Sequence, residues 1–400
     1  MTAPAPILIA GGGIGGMALA LALARRGIRS TVLERQQTPT AAGAGIQLGP
    51  NGVRALQCLG VAEALRPWAG VPEAIEVMAG GSGRRLSRLP LGAWIAARHG
   101  APYWVAHRGD LHAVLAEAAA GEPLIELRTG FEVASVAQTT GAAIVADPAG
   151  ERLTGPILVG ADGLWSAVRG ALAPASAPRT AGAAATRTVI PAGQAEALAT
   201  EAVGVWLSPE AHVVHYPVRQ GKEIAVVVIA RDGEARQGRG WDAGADAGRL
   251  QHRLAGFHPS LVQALDPGRG DRVWREWTLH ALPRLTAWAQ GRIVLLGDAA
   301  HPLLPYLAQG GALALEDAVV LADGLRRAGP DAPGALARFQ ALRAARVRRV
   351  QAASLRQGRI YHLAAPASWA RDAVLALAPG AWLMAGYDWL YAWRPPSETA

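Results

Sequence analysis

Apolar positions fall into two rhythms along the 400 residues of the chain. Residues 7–10 (Ile-Leu-Ile-Ala) form an unbroken apolar run, the pattern of a short strand covered on both faces in a parallel sheet. Residues 17–26 then read as a helix, and residues 29–33 as a second strand ended by Glu34. Strand, helix, strand is a βαβ beginning. Asn51 is expected to cap a helix over 53–59, and Asp110 one over 111–120. Short strands are expected up to Val136, at 144–145 and at 157–159, the last running into Gly160-Ala161-Asp162-Gly163 and a helix from about Leu164.

Two stretches break this alternation. Residues 72–96 are short strand-like runs separated by glycine and proline clusters. Between 183 and 280 the runs lengthen, with 203–207, 212–218 and 223–230 suited to a mainly antiparallel sheet, and 246–265 helical with a break near Pro259. The first pattern resumes at 292–296 with a buried strand, a turn at Gly297-Asp298 and, after Gln309-Gly310-Gly311, a long helix. Residues 333–393 are almost wholly helical. The expected fold class is α/β: a Rossmann-like domain from 1–72, 100–182 and 281–332, an inserted mainly antiparallel β-sheet domain from 73–99 and 183–280, and a helical C-terminus from 333–400.

Composition narrows the field. Hydrophobic residues make up 51% and charged residues 18%, which fits a soluble protein with large cores. The single Cys58, read as a core residue, excludes intrachain disulfides and cysteine zinc clusters, so the expected location is cytoplasmic. The net charge of +8 is carried by arginine. No nucleic-acid-binding signature accompanies it, and the basic stretch 338–359 has the spacing of a solvated helix face. The charge is therefore read as attraction for anionic small molecules, with no nucleic acid and no membrane as partners. A homodimer is the expected assembly, though no motif carries it.

The candidate chemistry begins at Gly11, Gly13 and Gly16, which stand at G-x-G-x-x-G spacing between strand and helix. There Gly11 makes the turn, Gly13 lets a pyrophosphate approach, and Gly16 lets helix and strand pack closely. The helix N-terminus, with Ile14 and Gly15, faces phosphates with its free N–H groups. Glu34, next to Arg35, lies at the distance where an acid takes ribose hydroxyls. A membrane or signal segment over 7–24 is the competing reading; the glycines and the lack of basic residues before it argue against that.

Gly11 to Glu34, the Ala161-Asp162-Gly163 turn and Gly297-Asp298-Ala299-Ala300-His301-Pro302 together resemble the three fingerprints of single-component FAD-dependent aromatic hydroxylases, relatives of p-hydroxybenzoate hydroxylase. The stretches 43–51, 215–218 and 387–391 are most similar to the salicylate, 3-hydroxybenzoate 6- and 6-hydroxynicotinate hydroxylases. The resemblance implies FAD as cofactor, NADH or NADPH as co-substrate, and O2 transferred through a flavin C4a-hydroperoxide to a small hydroxylated aromatic or heteroaromatic acid. It implies Asp298 at a ribityl hydroxyl and Arg108 at the ribityl or pyrophosphate region. Gln47, Pro305, Gln309, Gly310 and Gly311 belong near the flavin, with Gly43 and Gly45 letting backbone approach the ring. It also implies that Asp162 serves both FAD and the transient nicotinamide nucleotide, whose pyrophosphate Ser166 and Arg169 would meet. His301 is read as structural. Leu313 departs from the polar residue of many relatives, so a side-chain bond to the flavin is not expected there.

His212 and Tyr216 are the expected substrate-handling pair. On a strand they share one face while His215 takes the other, and they stand about 13 Å apart between Cα atoms. The subgroup resemblance also puts its active-site His and Tyr there. An imidazole can accept a phenolic proton near neutral pH. Ipso hydroxylation with loss of CO2, a flavin dehydrogenase or reductase without oxygen transfer, and a non-catalytic nucleotide-binding protein are the alternatives that the sequence leaves open.

Overall fold

The computed structural model describes residues 5–38, 45–195, 197–232, 243–270, 272–329 and 331–396. Its first sheet has six strands in the order Ala289–Gln290, Ile293–Leu295, Leu158–Gly160, Ile7–Ala10, Ser30–Glu34, Ile125–Thr129. All neighbours are parallel except the edge strand Ala289–Gln290. Ile7–Ala10 is central and its neighbours lead away in opposite directions, which makes its C-terminal end a topological switch point, where α/β sheets bind ligands.

The second sheet has eight strands, in the order Ala243–Gly244, Arg275–Ala281, Arg179–Pro191, Glu223–Arg231, Ala211–Val218, Ala202–Leu207, Ala74–Ala79, Arg85–Pro90. Only Ala202–Leu207 and Ala74–Ala79 pair in parallel, so the sheet is mainly antiparallel, and the strands from the 72–96 stretch complete its edge. One face, with Val213, Val226 and Val228, is covered by the helices Ala247–Leu254 and Pro259–Ala264. The other face turns towards the first sheet and the C-terminal helices.

Several element boundaries differ from the sequence expectations, each for a local reason. The first helix is Ile14–Ala24 and starts directly at the glycine turn. Asn51 is not a cap: the helix Pro50–Leu59 starts directly after Gly49 and already contains Asn51, which turns inward. There its amide donates to Gln309 Oε1 (2.9 Å) and Glu316 Oε1 (2.7 Å). Asp110 is not a cap either. The helix Arg108–Ala120 is capped by His107, whose Nδ1 accepts from the Gly109 N–H, and Asp110 takes a two-pronged bond from Arg219 (3.0 Å each).

The basic C-terminal stretch is more than a solvated face. In the helix Ala332–Tyr361, Arg343 is buried and donates from Nε to Asp317 Oδ1 (2.6 Å), while Arg346 grips both oxygens of Glu316 (2.6 Å each). His301 Nε2 lies 2.6 Å from the other oxygen of Asp317. Burial alone would raise the Asp317 carboxyl, but His301 and Arg343 outweigh it and hold the pKa down at about 2. The Glu316-Asp317 pair thus fastens the helix Gly310–Ala328 to the C-terminal helix and to the loop after the last parallel strand. Among the described residues no helix is long and apolar enough to cross a membrane.

Candidate active site

The glycine turn is built in two parts. Gly11 has φ +100°, and a Cβ there would press on the Ala161 carbonyl oxygen (2.6 Å). Gly15 and Gly16 leave room for Leu296 and for the Gly11 backbone, and Ile14 is buried, so these three serve packing. Gly13 differs: nothing lies within 4 Å of its Cβ position. Its bareness leaves room that no part of the chain fills. Gly12 is held from both sides, its N–H donating to Glu34 Oε2 (2.8 Å) and its carbonyl meeting His112 Nε2 (2.7 Å). The second Glu34 oxygen accepts from the Gln36 N–H (2.8 Å), and Arg35 beside it is exposed.

The Ala161-Asp162-Gly163 turn backs directly on Gly11. Burial raises the Asp162 carboxyl above its ordinary value, partly offset by bonds from Ser166 Oγ (2.5 Å) and the Val168 N–H (3.1 Å). Here the geometry corrects an expectation. Ser166 caps the short helix Ala167–Leu172, and Arg169 is buried, its guanidinium donating to the carbonyls of Ala299 (3.1 Å) and Leu164 (2.5 Å). Ser166 is committed to Asp162 and to its own helix, and Arg169 ties that turn to the Asp298 turn, which leaves neither side chain exposed to a passing nicotinamide nucleotide.

Asp298 follows the strand Ile293–Leu295 and lines a cavity with Trp165, Trp277, His280 and Leu304. Burial raises its carboxyl, with Arg108 and His301 pulling the other way. The carboxylate takes no hydrogen bond from any described residue. Pro305 opens a short turn, Pro305–Leu307, that leads to Gln309 and the N-terminus of Gly310–Ala328. Gly310 is open, its nearest neighbour being Asp298 Oδ1 at 4.0 Å. Gly311 and Gly45 have another task than the expected approach to a ring, because a Cβ on either would strike a side chain, Ile46 and Tyr216 respectively. Gly43 lies outside the described residues. Gln47 Oε1 accepts from the Tyr103 hydroxyl (2.6 Å), and Leu313 is a core residue, which accounts for its being apolar.

The open positions converge. Gly13, Gly310 and Asp298 stand at the ends of parallel strands or the start of a helix, around the switch point of the first sheet. The strip they outline suits a dinucleotide with a polyhydroxyl linker, and FAD fits the residues present.

Against this strip lies the second face of the eight-stranded sheet, the one not covered by the helices Ala247–Leu254 and Pro259–Ala264. Strand pairing puts His212, Val214 and Tyr216 on that face with Val227, Arg187 and Trp277 of neighbouring strands. His215 takes the opposite face beside Gly204 and Val213, where burial lowers its pKa to about 4. Tyr216 is buried and its phenol is pushed up by burial, with Arg187 pulling it down. Arg187 is a buried cation stacked 4.2 Å from the Trp277 ring. His212 is 1% exposed, and its Nδ1 lies 2.9 Å from His362 Nε2. The rings of Tyr306 and Tyr361 also surround it, at 5.6 and 5.0 Å. Burial and the neighbouring His362 lower its pKa well below the usual histidine value.

Sequence reasoning missed Arg187, Tyr306, Tyr361 and His362. Arg187 lies on the strand Arg179–Pro191, which the sequence reading did not single out, and pairing with Val227 puts it on the His212 face. Tyr306 and the C-terminal pair come from elements whose approach to the sheet leaves no local trace.

Comparison with known proteins adds three findings. The family model described as "FAD binding domain" matches residues 4–354. The chain is 37% identical over 391 residues to 3-hydroxybenzoate 6-hydroxylase of Klebsiella oxytoca, covering 97% of this chain and 96% of that one. Among solved structures, Klebsiella pneumoniae HpxO complexed with FAD and uric acid superposes with a TM-score of 0.82 at 25% identity, covering 95% of each chain.

Proposed function

This chain belongs to the FAD binding domain family, and from that membership we propose that it is a monooxygenase that hydroxylates a small hydroxylated aromatic acid with NAD(P)H and O2. Three features around the first sheet support FAD: the empty space over Gly13, Glu34 at the end of the second strand, and Asp298 without a hydrogen bond among the described residues. When bound and reduced by NADH or NADPH, FAD supplies the activated oxygen.

The protein's own part is to hold the ring, keep water away and take a proton. The observation that carries the reading is that His212, Tyr216 and Arg187 share the sheet face turned towards that strip. A buried guanidinium suits a carboxylate, and the Tyr216 hydroxyl suits a second polar group on the same ring. Burial keeps His212 neutral at neutral pH, so its imidazole is in the form that accepts a phenolic proton. A phenolate is the better nucleophile towards an electrophilic oxygen. The rings of Tyr306 and Tyr361 beside His212, and of Trp277 beside Arg187, give this face aromatic walls that would limit water at the place of reaction. Two relatives' names point to hydroxybenzoates, since a 36% identical chain from Polaromonas naphthalenivorans is also called 3-hydroxybenzoate 6-hydroxylase. We extend that substrate class to this protein, with a cytoplasmic location and a homodimer as part of the same proposal.

Oxidation of NADH and of NADPH by the FAD-loaded protein should be followed over hydroxybenzoates and hydroxypyridine acids, with product analysis. A hydroxylated product formed in proportion to the nucleotide consumed is the expected result. Nucleotide oxidation that yields only hydrogen peroxide with every acid would instead mark a flavin reductase.

A further inference from the structure

We propose that His362 is the outer member of a two-imidazole relay that carries the phenolic proton of the substrate from His212 to solvent. The proposal rests on the reading of His212 as the proton acceptor and extends it to where the proton goes. His212 is fully enclosed, and among the described residues His362 is the one hydrogen-bond partner of its side chain, Nδ1 to Nε2 at 2.9 Å. Rings enclose it elsewhere: Tyr306 from the loop after Asp298, and Tyr361 from the end of the C-terminal helix. His362 is partly exposed, so the pair leads from an enclosed site to the protein surface.

The helix end that carries His362 is fixed in place. Arg371, from the helix Ala367–Leu377, donates to the carbonyls of Ile360 (3.1 Å) and Tyr361 (2.9 Å), and the His362 N–H reaches the Gly358 carbonyl (3.3 Å). The charged groups around His362 are Arg231 at the end of its strand, Glu210 in the preceding hairpin, and Arg371. Burial comes first in lowering the His362 pKa, followed by Arg231, while the Gly358 backbone and then Glu210 oppose and Arg371 adds to the lowering. Both imidazoles are therefore neutral at pH 7, and a neutral imidazole is a donor at one nitrogen and an acceptor at the other.

The transfer balances without any charge remaining in the pair. The phenolic O–H bond breaks and an N–H bond forms at His212 Nε2. The proton on His212 Nδ1 passes to His362 Nε2, and the proton on His362 Nδ1 leaves to water. Each ring ends as its other tautomer, and the phenolate stays in the site. His362 acts through His212 and is a positioning residue in this account.

The test follows proton release with a pH indicator in stopped flow when holoenzyme is mixed with 3-hydroxybenzoate at pH 7. His362→Gln keeps a hydrogen bond for His212 but cannot pass a proton through, and FAD retention reports whether it is folded. Release should slow by about tenfold or more in His362→Gln and in His362→Ala, with imidazole restoring the latter, while the affinity for 3-hydroxybenzoate changes little. Release at the parent rate in His362→Gln, with His212→Asn slow, overturns the relay and leaves His212 as acceptor. Release at the parent rate in His212→Asn overturns both.

Discussion

The ring of Tyr216 occupies the space that a side chain on Gly45 would need, with the Ala225 methyl beside it. Gly45 opens the short strand Gly45–Leu48, which pairs with Trp104–His107 on the nucleotide side, whereas Tyr216 belongs to the eight-stranded sheet. The two halves of the site are therefore set against each other at this contact, and a glycine is what permits it. Gly45→Ala should force the phenol aside. The expected cost is about 1–3 kcal/mol of stability from overpacking, together with a raised KM, and thermal unfolding with steady-state kinetics reads both.

Gly13 and Asp298 are positions where the chain leaves room or polarity unused. Gly13→Val and Asp298→Ala should each weaken FAD binding, Asp298→Ala by roughly 10- to 100-fold if one charged hydrogen bond of about 1.5–3 kcal/mol is lost. Far-UV circular dichroism should be unchanged in both. Gly11→Ala differs, because its φ of +100° and the Ala161 carbonyl stand in the way, so that variant should lose folded protein before it loses affinity. Flavin titration of apoprotein separates the two kinds of loss.

Arg343 sits between two buried carboxylates. Arg343→Ala leaves Glu316 to Arg346 and Asp317 to His301 alone, and breaking a buried pair in this way costs up to about 3–5 kcal/mol. Urea unfolding should show that loss in apoprotein as well as in holoenzyme. A variant that unfolds at the parent midpoint would show that Arg346 and His301 suffice.

The pH dependence of stability has a defined sign at His215. Its folded pKa of about 4 lies below the unfolded value of about 6.5. Between those values the unfolded chain binds the extra proton, so stability falls as the pH drops from about 6.5 to 4 and is fully present above. The span corresponds to about 3 kcal/mol at most. His215→Gln should flatten that part of the curve in urea titrations at several pH values.

Much of this was legible in the sequence because it is local. Gly11, Gly13, Gly16 and Glu34 announce themselves by spacing, and period-two alternation alone separates His212 and Tyr216 from His215. What was not legible depends on which distant elements meet. Nothing near Asn51 shows that its amide reaches Glu316, 265 positions away. Arg343 resembles its solvated neighbours until the acid pair of another helix is placed beneath it. Ser166 and Arg169 matched a nucleotide-binding pattern, yet burial turned both to internal carbonyls and carboxylates. His362 follows a helix 150 positions from its partner, and only the packed C-terminus brings the two rings together.

The central claim is that substrate chemistry happens on the His212 face of the strand Ala211–Val218. Hydroxylated product per NAD(P)H consumed, measured for FAD-saturated His212→Ala and His215→Ala with the best acid of the panel, tests it most directly. The account predicts a loss of about 100-fold or more in hydroxylation for His212→Ala with FAD still bound, and near-parent coupling for folded His215→Ala. Normal product formation by His212→Ala, with His215→Ala crippled, would contradict it.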